Sequence, residues 1–217
     1  MEKIRAILFD CNGIIADDEP IHLELFQKVL KEEGIKLTKE MYFKKYLAMD
    51  DRSCFKDALK SNGKPYDPEI VQNLILRKAK YYKKRIEKGL KIFSGVRSFV
   101  KAHQKKYSMA IVSGALRHEI ELILKRAGIR KAFSVIISAE DVQNGKPDPE
   151  CYLLALKKLN DINPEECIAI EDSIHGVHAA HKAGVACIAV TNSYSREKLS
   201  HADWVVPSLV GIKVSEL

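Results

Sequence analysis

The first apolar run of the chain ends on a carboxylate. Ile4 and residues 7–9 (Ile-Leu-Phe) are apolar, Asp10 follows directly, and Gly13 marks a turn. Such a run predicts a buried strand, and burial on both faces is typical of a central strand in a parallel sheet. Asp10 is then expected at the carboxyl end of that strand, where open α/β sheets bind ligands. A buried carboxylate there needs a positive partner from elsewhere in the chain.

The next part of the chain has a helical pattern. Leu23, Phe26 and Leu30 repeat at helical spacing, and Pro20 precedes them as a first-turn residue. Similar patterns predict further helices over about 38–47, 50–61 and 67–89. Since no strand pattern interrupts them, residues 16–90 are predicted to form an all-helical insert, which we call the cap.

From residue 92 onward, short runs rich in Val and Ile alternate with helical stretches. The predicted strands are 108–112, 134–138, 167–170, 186–190 and 203–206, and the predicted helices are 94–106, 115–127, 149–160, 174–183 and 195–200. This alternation predicts an α/β fold with a doubly wound parallel (Rossmann-like) sheet. The expected domains are an α/β core, 1–15 plus 91–217, and the inserted cap, 16–90.

Composition narrows the functional classes only slightly. The net charge of +7 favours an anionic ligand, and it is equally consistent with an ordinary basic surface. The five cysteines are odd in number and contain no CxxC pair, so we expect reduced thiols in a cytoplasmic protein. The sequence has no signal-peptide pattern at its start and no apolar run long enough for a membrane span, so no membrane association is expected.

Chemistry-bearing residues follow four of the predicted strands. They are Asp10, Ser113-Gly114, Gly145-Lys146-Pro147-Asp148 and Glu171-Asp172. Each has a simpler explanation as a helix cap, a turn or a surface residue. Together, at strand ends that meet on one sheet edge, they suit phosphoryl transfer. A carboxylate can attack phosphorus, acids can hold Mg²⁺, and a lysine and a hydroxyl can bind phosphate oxygens.

These motifs resemble those of the haloacid dehalogenase superfamily, in the helical-capped branch of β-phosphoglucomutases and small sugar-phosphate phosphatases. The resemblance covers nearly the whole chain and rests on residues 9–13 (FDCNG), 111–114 (IVSG), 145–149 (GKPDP) and 170–176 (IEDSIHG). It implies that Asp10 is the nucleophile and that Lys146 bridges nucleophile and phosphate. It also implies that Ser113 and Gly114 bind the phosphoryl group. The metal ligands for Mg²⁺ would be Asp10, Glu171, Asp172 and the backbone carbonyl of Asn12.

Position 12 departs from the family pattern. Phosphatases and mutases of this family usually carry an aspartate there, which protonates the leaving oxygen and later activates water. The amide of Asn12 has no proton to give at neutral pH. We therefore expect slowed turnover, while a metal ligand from the backbone carbonyl is retained.

The cap contributes the candidates for substrate binding. Arg52 and Lys78 lie at positions that resemble substrate-contacting cap residues of the mutase branch. His22, one turn into the first cap helix, resembles a histidine near the active site of that branch and is the third candidate. A basic run over 77–91 has no nucleic-acid-binding motif behind it, so no nucleic-acid partner is expected. In the helix after Asp172, three histidines lie at positions 175, 178 and 181. They drift around the helix by about 60° per step, which is a poor arrangement for zinc.

The sequence thus predicts Mg²⁺-dependent hydrolysis of a small phosphate monoester through a phosphoaspartate on Asp10. A sugar-phosphate mutase is the alternative enzyme, and a catalytically weak phospho-ligand-binding protein is the alternative of another class. The expected partner is a small phosphorylated metabolite, and the expected state is a monomer or weak oligomer.

Overall fold

The structure, a computed structural model, describes residues 4–47 and 49–216. The chain forms two compact units, one of residues up to 17 and from 91 onward, the other of residues 18–90. Ala16 and Asp17, expected in the cap, belong to the first unit. Ala16 forms a β-bridge with Ile92, and the Asp17 N–H donates to Lys91 O at 2.9 Å. Residues 1–3 and 217 of the expected core lie outside the described residues.

The first unit is built on a six-stranded sheet in the order β3-β2-β1-β4-β5-β6, and all five neighbouring pairs are parallel. Its strands are β1 Ala6–Phe9, β2 Ser108–Val112, β3 Val135–Ile137, β4 Cys167–Glu171, β5 Ala186–Val190 and β6 Trp204–Val206. The α/β class and the parallel Rossmann-like sheet that the sequence predicts are therefore confirmed.

Helices cover the sheet. The first four helices of the chain belong to the second unit, and those of the first unit are α5 Val96–His103, α6 Arg117–Ala127, α7 Glu150–Lys158 and α8 Ile174–Lys182. Short 3₁₀ turns occur at Arg130–Ala132, Ala139–Asp141, Pro164–Glu166 and Val214–Glu216. Strand β1 is the centre of this unit, because its four side chains are buried and it pairs with both β2 and β4. On one face Phe9 contacts Phe99 and Phe133 edge-on, with ring centroids 5.8 and 5.3 Å away.

The second unit, the cap, consists of α1 Glu19–Glu32, α2 Lys39–Met41, α3 Asp51–Ser61 and α4 Pro68–Lys88. A π-helical turn, Tyr42–Tyr46, continues α2. The cap has its own aromatic core, in which the Phe26 ring lies 5.0 Å from that of Phe55 and 5.8 Å from that of Tyr42. Asp67 caps α4 by accepting from the N–H groups of Glu69 and Ile70, as its N-cap-proline sequence predicts.

One predicted helix is wrong. Residues 195–200 form consecutive turns, in which the Leu199 N–H lies 3.2 Å from both Ser195 O and Arg196 O. So short a segment gains too few hydrogen bonds to offset helix nucleation. It is held instead by the fully buried Leu199 side chain and by Arg196, whose guanidinium donates to Val205 O at 2.7 Å.

None of the helices in the described part of the chain combines the length and the apolar character needed to cross a membrane.

Candidate active site

The chemistry-bearing residues of the first unit converge at the carboxyl ends of β1, β2 and β4. Asp10 directly follows β1, Ser113 follows β2, and Glu171 ends β4 with Asp172 next to it. Because parallel strands present their carboxyl ends at one edge, the sheet itself brings these side chains together. The carboxylates of Asp10, Glu171 and Asp172 are buried, and an oxygen of each lies within 4.8 Å of the others.

Lys146 is the cation that forms ion pairs with two of these acids. Its Nζ donates to Asp10 Oδ1 at 2.6 Å and to Glu171 Oε1 at 2.5 Å. A third hydrogen bond, to Val112 O at 2.9 Å, uses the remaining ammonium proton. Burial alone would lower the pKa of Lys146, but the carboxylates of Asp10 and Glu171 outweigh it and raise the pKa. The ammonium is therefore charged and fixed in place at neutral pH.

Glu171 is enclosed by hydrogen-bond donors on both oxygens. Oε1 accepts from Lys146 and from the Tyr152 hydroxyl at 2.8 Å, while Oε2 accepts from the Asp172 N–H and the Ser173 hydroxyl, each at 3.3 Å. Gly176, in the first turn of α8, makes this packing possible, since a Cβ there would lie 2.0 Å from the carboxylate. Glu171 thus orients Lys146, and its carboxylate is held in place beside those of Asp10 and Asp172.

Asp172 is the acid that the protein itself neutralises least. The Ser193 hydroxyl donates to its Oδ2. Burial, and then the charges of Asp10 and Glu171, raise the pKa of the Asp172 carboxyl well above its usual range. Three carboxylates around one ammonium leave an excess of negative charge, and their oxygens are ligands that Mg²⁺ prefers. The donor set therefore fits a hard divalent cation.

The loop after β1 is shaped by its contact with Asp172. Gly13 has φ +74°, and a Cβ at this position would fall 1.8 Å from Asp172 Oδ2. Asn192, in the loop after β5, donates from Nδ2 to Gly13 O at 2.7 Å. The loop after β5 thus supports both the loop after β1, through Asn192, and Asp172, through Ser193.

Ser113 and Asn12 face each other across the site. The Ser113 hydroxyl donates to Asn12 Oδ1 at 3.5 Å and accepts from the Ala115 N–H at 3.2 Å. Ser113 is buried, whereas Gly114 beside it is exposed. The structure therefore brings together every core residue that the sequence analysis assigned to the site, although their roles stay predictions.

His22 and Lys78, two of the predicted substrate contacts, form a hydrogen bond with each other inside the cap. The Lys78 side chain is fully buried, and its Nζ donates to His22 Nδ1 at 2.8 Å and to Asp51 Oδ1 at 2.6 Å. Since an ammonium can only donate, Nδ1 of His22 accepts and the ring proton is on Nε2, which donates to Asp18 Oδ2 at 3.2 Å. Lys78 is thus paired with a carboxylate of the cap itself, which its sequence position could not indicate.

Arg52, the third predicted contact, is exposed. It lines a cavity of about 940 Å³ formed wholly by the cap, together with Lys56, Tyr66 and Val71. Its side chain is thus available to a ligand, unlike that of Lys78.

Three residues around the site were not predicted from the sequence: Tyr152, Asn192 and Ser193. Asn192 and Ser193 follow β5, so the strand-end rule that identified Asp10 would also have selected them. The helical spacing of Tyr152 is typical of a core residue, and only the structure shows that its hydroxyl donates to Glu171.

Comparison with known proteins identifies the family of the chain. The model of the haloacid dehalogenase-like hydrolase family matches residues 7–190. A phosphorylated carbohydrates phosphatase of Thermotoga maritima is 32% identical over 193 residues, covering 84% of this chain and 82% of the relative.

Solved structures show the same fold. β-Phosphoglucomutase of Clostridium difficile has a TM-score of 0.86 at 26% identity and covers 98% of this chain and 95% of its own. An Asp-to-Asn mutant of CbbY from Rhodobacter sphaeroides, in complex with xylulose-(1,5)-bisphosphate, has a TM-score of 0.87 at 25% identity, covering 96% of each chain. The chain belongs to the haloacid dehalogenase superfamily, in its β-phosphoglucomutase-like phosphatase branch.

Proposed function

We propose that this protein hydrolyses a small phosphate monoester of the sugar-phosphate type through a phosphoaspartate on Asp10. The observation that carries the proposal is the position of Lys146, hydrogen-bonded to Asp10 and Glu171 at once and beside Asp172. This arrangement holds a carboxylate in a fixed orientation next to a cation that can neutralise an incoming phosphate. The phosphatase of phosphorylated carbohydrates among the relatives supports the same substrate class.

Mg²⁺ is the cofactor that we propose. Asp10, Asp172 and the backbone carbonyl of Asn12 would hold it, with Glu171 supporting them through hydrogen bonds. When bound, Mg²⁺ supplies positive charge to the phosphate oxygens.

The chain's own residues would carry out the transfer as follows. A carboxylate oxygen of Asp10 forms a bond to phosphorus while the bond from phosphorus to the ester oxygen breaks. The Ser113 hydroxyl, the Gly114 N–H and the Lys146 ammonium bind the phosphoryl oxygens during this exchange. The ester oxygen leaves with the electron pair of the broken bond as an alkoxide and takes a proton from water. A water oxygen later forms a bond to phosphorus while the bond from phosphorus to the Asp10 oxygen breaks, which gives inorganic phosphate and the free carboxylate.

Asn12 determines how fast these steps run. An aspartate nucleophile needs no base to deprotonate it at neutral pH, so the attack by Asp10 does not require an acid or base at position 12. The departing sugar oxygen needs a proton, and the attacking water needs a base, and the amide of Asn12 supplies neither. We therefore infer slow turnover of sugar phosphates and a preference for activated phosphates, whose leaving groups need no proton.

Substrate selection would come from the cap. We propose Arg52 as its first contact, because its guanidinium is exposed and suits phosphate or hydroxyl groups. His22 and Lys78 are proposed as further contacts, but Lys78 would have to exchange its hydrogen bond to Asp51 for one to the substrate.

The mutase is the second candidate, and the similarity to β-phosphoglucomutase favours it. A mutase must protect its phosphoaspartate from water and let a bisphosphate turn over, whereas a phosphatase releases phosphate. Release of inorganic phosphate without isomerised sugar phosphate would support the phosphatase.

The buried free thiols of all five cysteines fit a reducing compartment, so the cytoplasm remains our proposed location.

Removing the charge of Asp172 should stabilise the metal-free protein. Since the pKa of Asp172 is raised in the folded state, the native protein binds more protons than the unfolded chain, and stability falls as pH rises above about 4. Asp172→Asn should therefore raise the metal-free Tm at pH 7, at about 2–4 °C for each kcal/mol. Mg²⁺ should raise the Tm of wild type but not that of the variant. The exposed Asp161→Asn serves as control, and an equal Mg²⁺ response in all three proteins would contradict the metal assignment.

Restoring a carboxylate at position 12 should increase activity. We expect Asn12→Asp to raise kcat/KM for sugar phosphates by roughly 10²-fold or more, the usual contribution of a general acid–base. An aryl phosphate with a good leaving group should gain less. Steady-state kinetics on both substrate types gives the comparison. Brisk sugar-phosphate hydrolysis by wild type with no gain in the variant would assign proton transfer to another residue.

Truncation of Arg52 should affect specificity rather than chemistry. Arg52→Ala should lower kcat/KM for a sugar phosphate and leave that for a small aryl phosphate unchanged, because the aryl ester lacks the sugar hydroxyl groups that we propose Arg52 to bind. Lys60→Ala, an exposed cation on the same helix α3, is the matched control. If both substrates respond equally, or if neither responds, Arg52 is not the specificity residue.

A further inference from the structure

Tyr152 is a tyrosine of α7 whose hydroxyl connects the core of the first unit to the acidic site. Its side chain is fully buried, in the same apolar cluster as Ala169 of β4 and Val177 of α8. A phenylalanine would fill this part of the core about as well, so apolar packing alone does not account for the hydroxyl. The hydroxyl donates to Glu171 Oε1 at 2.8 Å, and this contact is the only printed difference that a phenylalanine would make.

The hydroxyl shares its acceptor with the ammonium that orients Asp10. Glu171 Oε1 accepts from Tyr152 and also from Lys146, at 2.5 Å. The same ammonium donates to Asp10 Oδ1 at 2.6 Å. The hydrogen bonds to the other oxygen of Glu171 are longer, at 3.3 Å. The two donors on Oε1 therefore restrain the Glu171 carboxylate most strongly.

The Tyr152 ring lies beside this ammonium as well. Lys146 Nζ is 5.5 Å from the ring centroid, within the range of a cation–π contact. Tyr152 thus contacts Lys146 through its ring and acts on it a second time through Glu171. Because the ring is enclosed by core side chains and lies on a regular helix, it is a rigid support for the lysine, which follows β3 in a loop.

We propose that Tyr152 is a positioning residue for phosphoryl transfer, which holds Glu171 and, through it, keeps Lys146 in the orientation that fixes Asp10 for attack. This inference rests on the proposed function, since it gives Tyr152 a part in the same reaction. Its part is geometric, and a displacement of about 1 Å in the reacting groups can cost roughly 10²-fold in rate. Since it acts on the nucleophile, its effect does not depend on the leaving group.

Tyr152→Phe tests the inference, because it removes the hydroxyl and retains the ring in the core. With saturating Mg²⁺ and acyl phosphate, we expect the rate constant for phosphorylation of Asp10 to fall by roughly tenfold or more, as is usual when a supporting hydrogen bond is lost. kcat/KM should fall by equal factors for a sugar phosphate and for an aryl phosphate. Rapid acid quench and steady-state kinetics, at a temperature well below the Tm of each variant, give these values.

Tyr107→Phe is the matched control. Tyr107 is a buried tyrosine of the same unit, and it immediately precedes β2. It therefore lies at the amino end of the strand whose carboxyl end is followed by Ser113, on the opposite edge of the sheet from the site. Loss of its hydroxyl should leave the rate of Asp10 phosphorylation at the wild-type value.

A purely structural role of the Tyr152 hydroxyl would lower the Tm of Tyr152→Phe and leave the phosphorylation rate unchanged, and that result would overturn the inference. A fall in kcat/KM that differs between the two substrates, or a fall that Tyr107→Phe shares, would overturn it too. All of these results leave the proposed function intact, because they are obtained with an active wild type. A wild type that neither releases phosphate nor forms an adduct on Asp10 would instead contradict the proposed function, and this inference with it.

Discussion

The structure of the first unit depends on the confinement of three carboxylates and one ammonium at the edge of a parallel sheet. Isolated buried charges of this kind are expensive, and they persist only when each is hydrogen-bonded or paired. Lys146 pairs with two of the acids, and Tyr152 and Ser193 donate to Glu171 and Asp172. The remaining excess of negative charge is what makes the site suited to a divalent cation and a phosphate together.

The same confinement explains the small residues nearby. Side chains at positions 13 and 176 would occupy the space of the Asp172 and Glu171 carboxylates. Gly13 also has the positive φ that lets the chain turn back after Asp10. The glycines of the FDCNG and EDSIHG stretches are therefore requirements of the charged cluster, which joins the fold to its proposed chemistry.

The residue at position 12 would affect turnover more than phosphate binding. The groups that would bind a phosphate and orient Asp10 are all present, whereas the proton donor usual in this family is replaced by an amide. A protein of this kind can form a phosphoaspartate and still release it slowly. Whether it acts as a catalyst or as a binder of a phosphorylated ligand then depends on the rate of that release.

The sequence predicted the sheet well because its strands are short, apolar and punctuated by turns, and each strand end carries polar residues. It failed at residues 195–200, where a short series of turns is held in place by the buried side chain of Leu199 and by the hydrogen bond from Arg196 to Val205 O. It could not show that Lys78 is paired with Asp51, since that contact joins α3 and α4 of the cap. Nor could it show His201 beside His178, because the two lie in different elements. Local patterns thus identified the elements and the strand-end residues, while long-range side-chain pairs required the structure.

Phosphorylation of Asp10 during turnover can be detected by mass spectrometry of acid-quenched protein. Wild type would be incubated with Mg²⁺ and an acyl phosphate, quenched, digested and examined for a phosphoryl group on the peptide that contains Asp10. We expect an adduct on Asp10 that accumulates, because Asn12 cannot activate water, and that is absent from Asp10→Asn. Phosphate release without any adduct, or equal release by Asp10→Asn, would contradict this expectation.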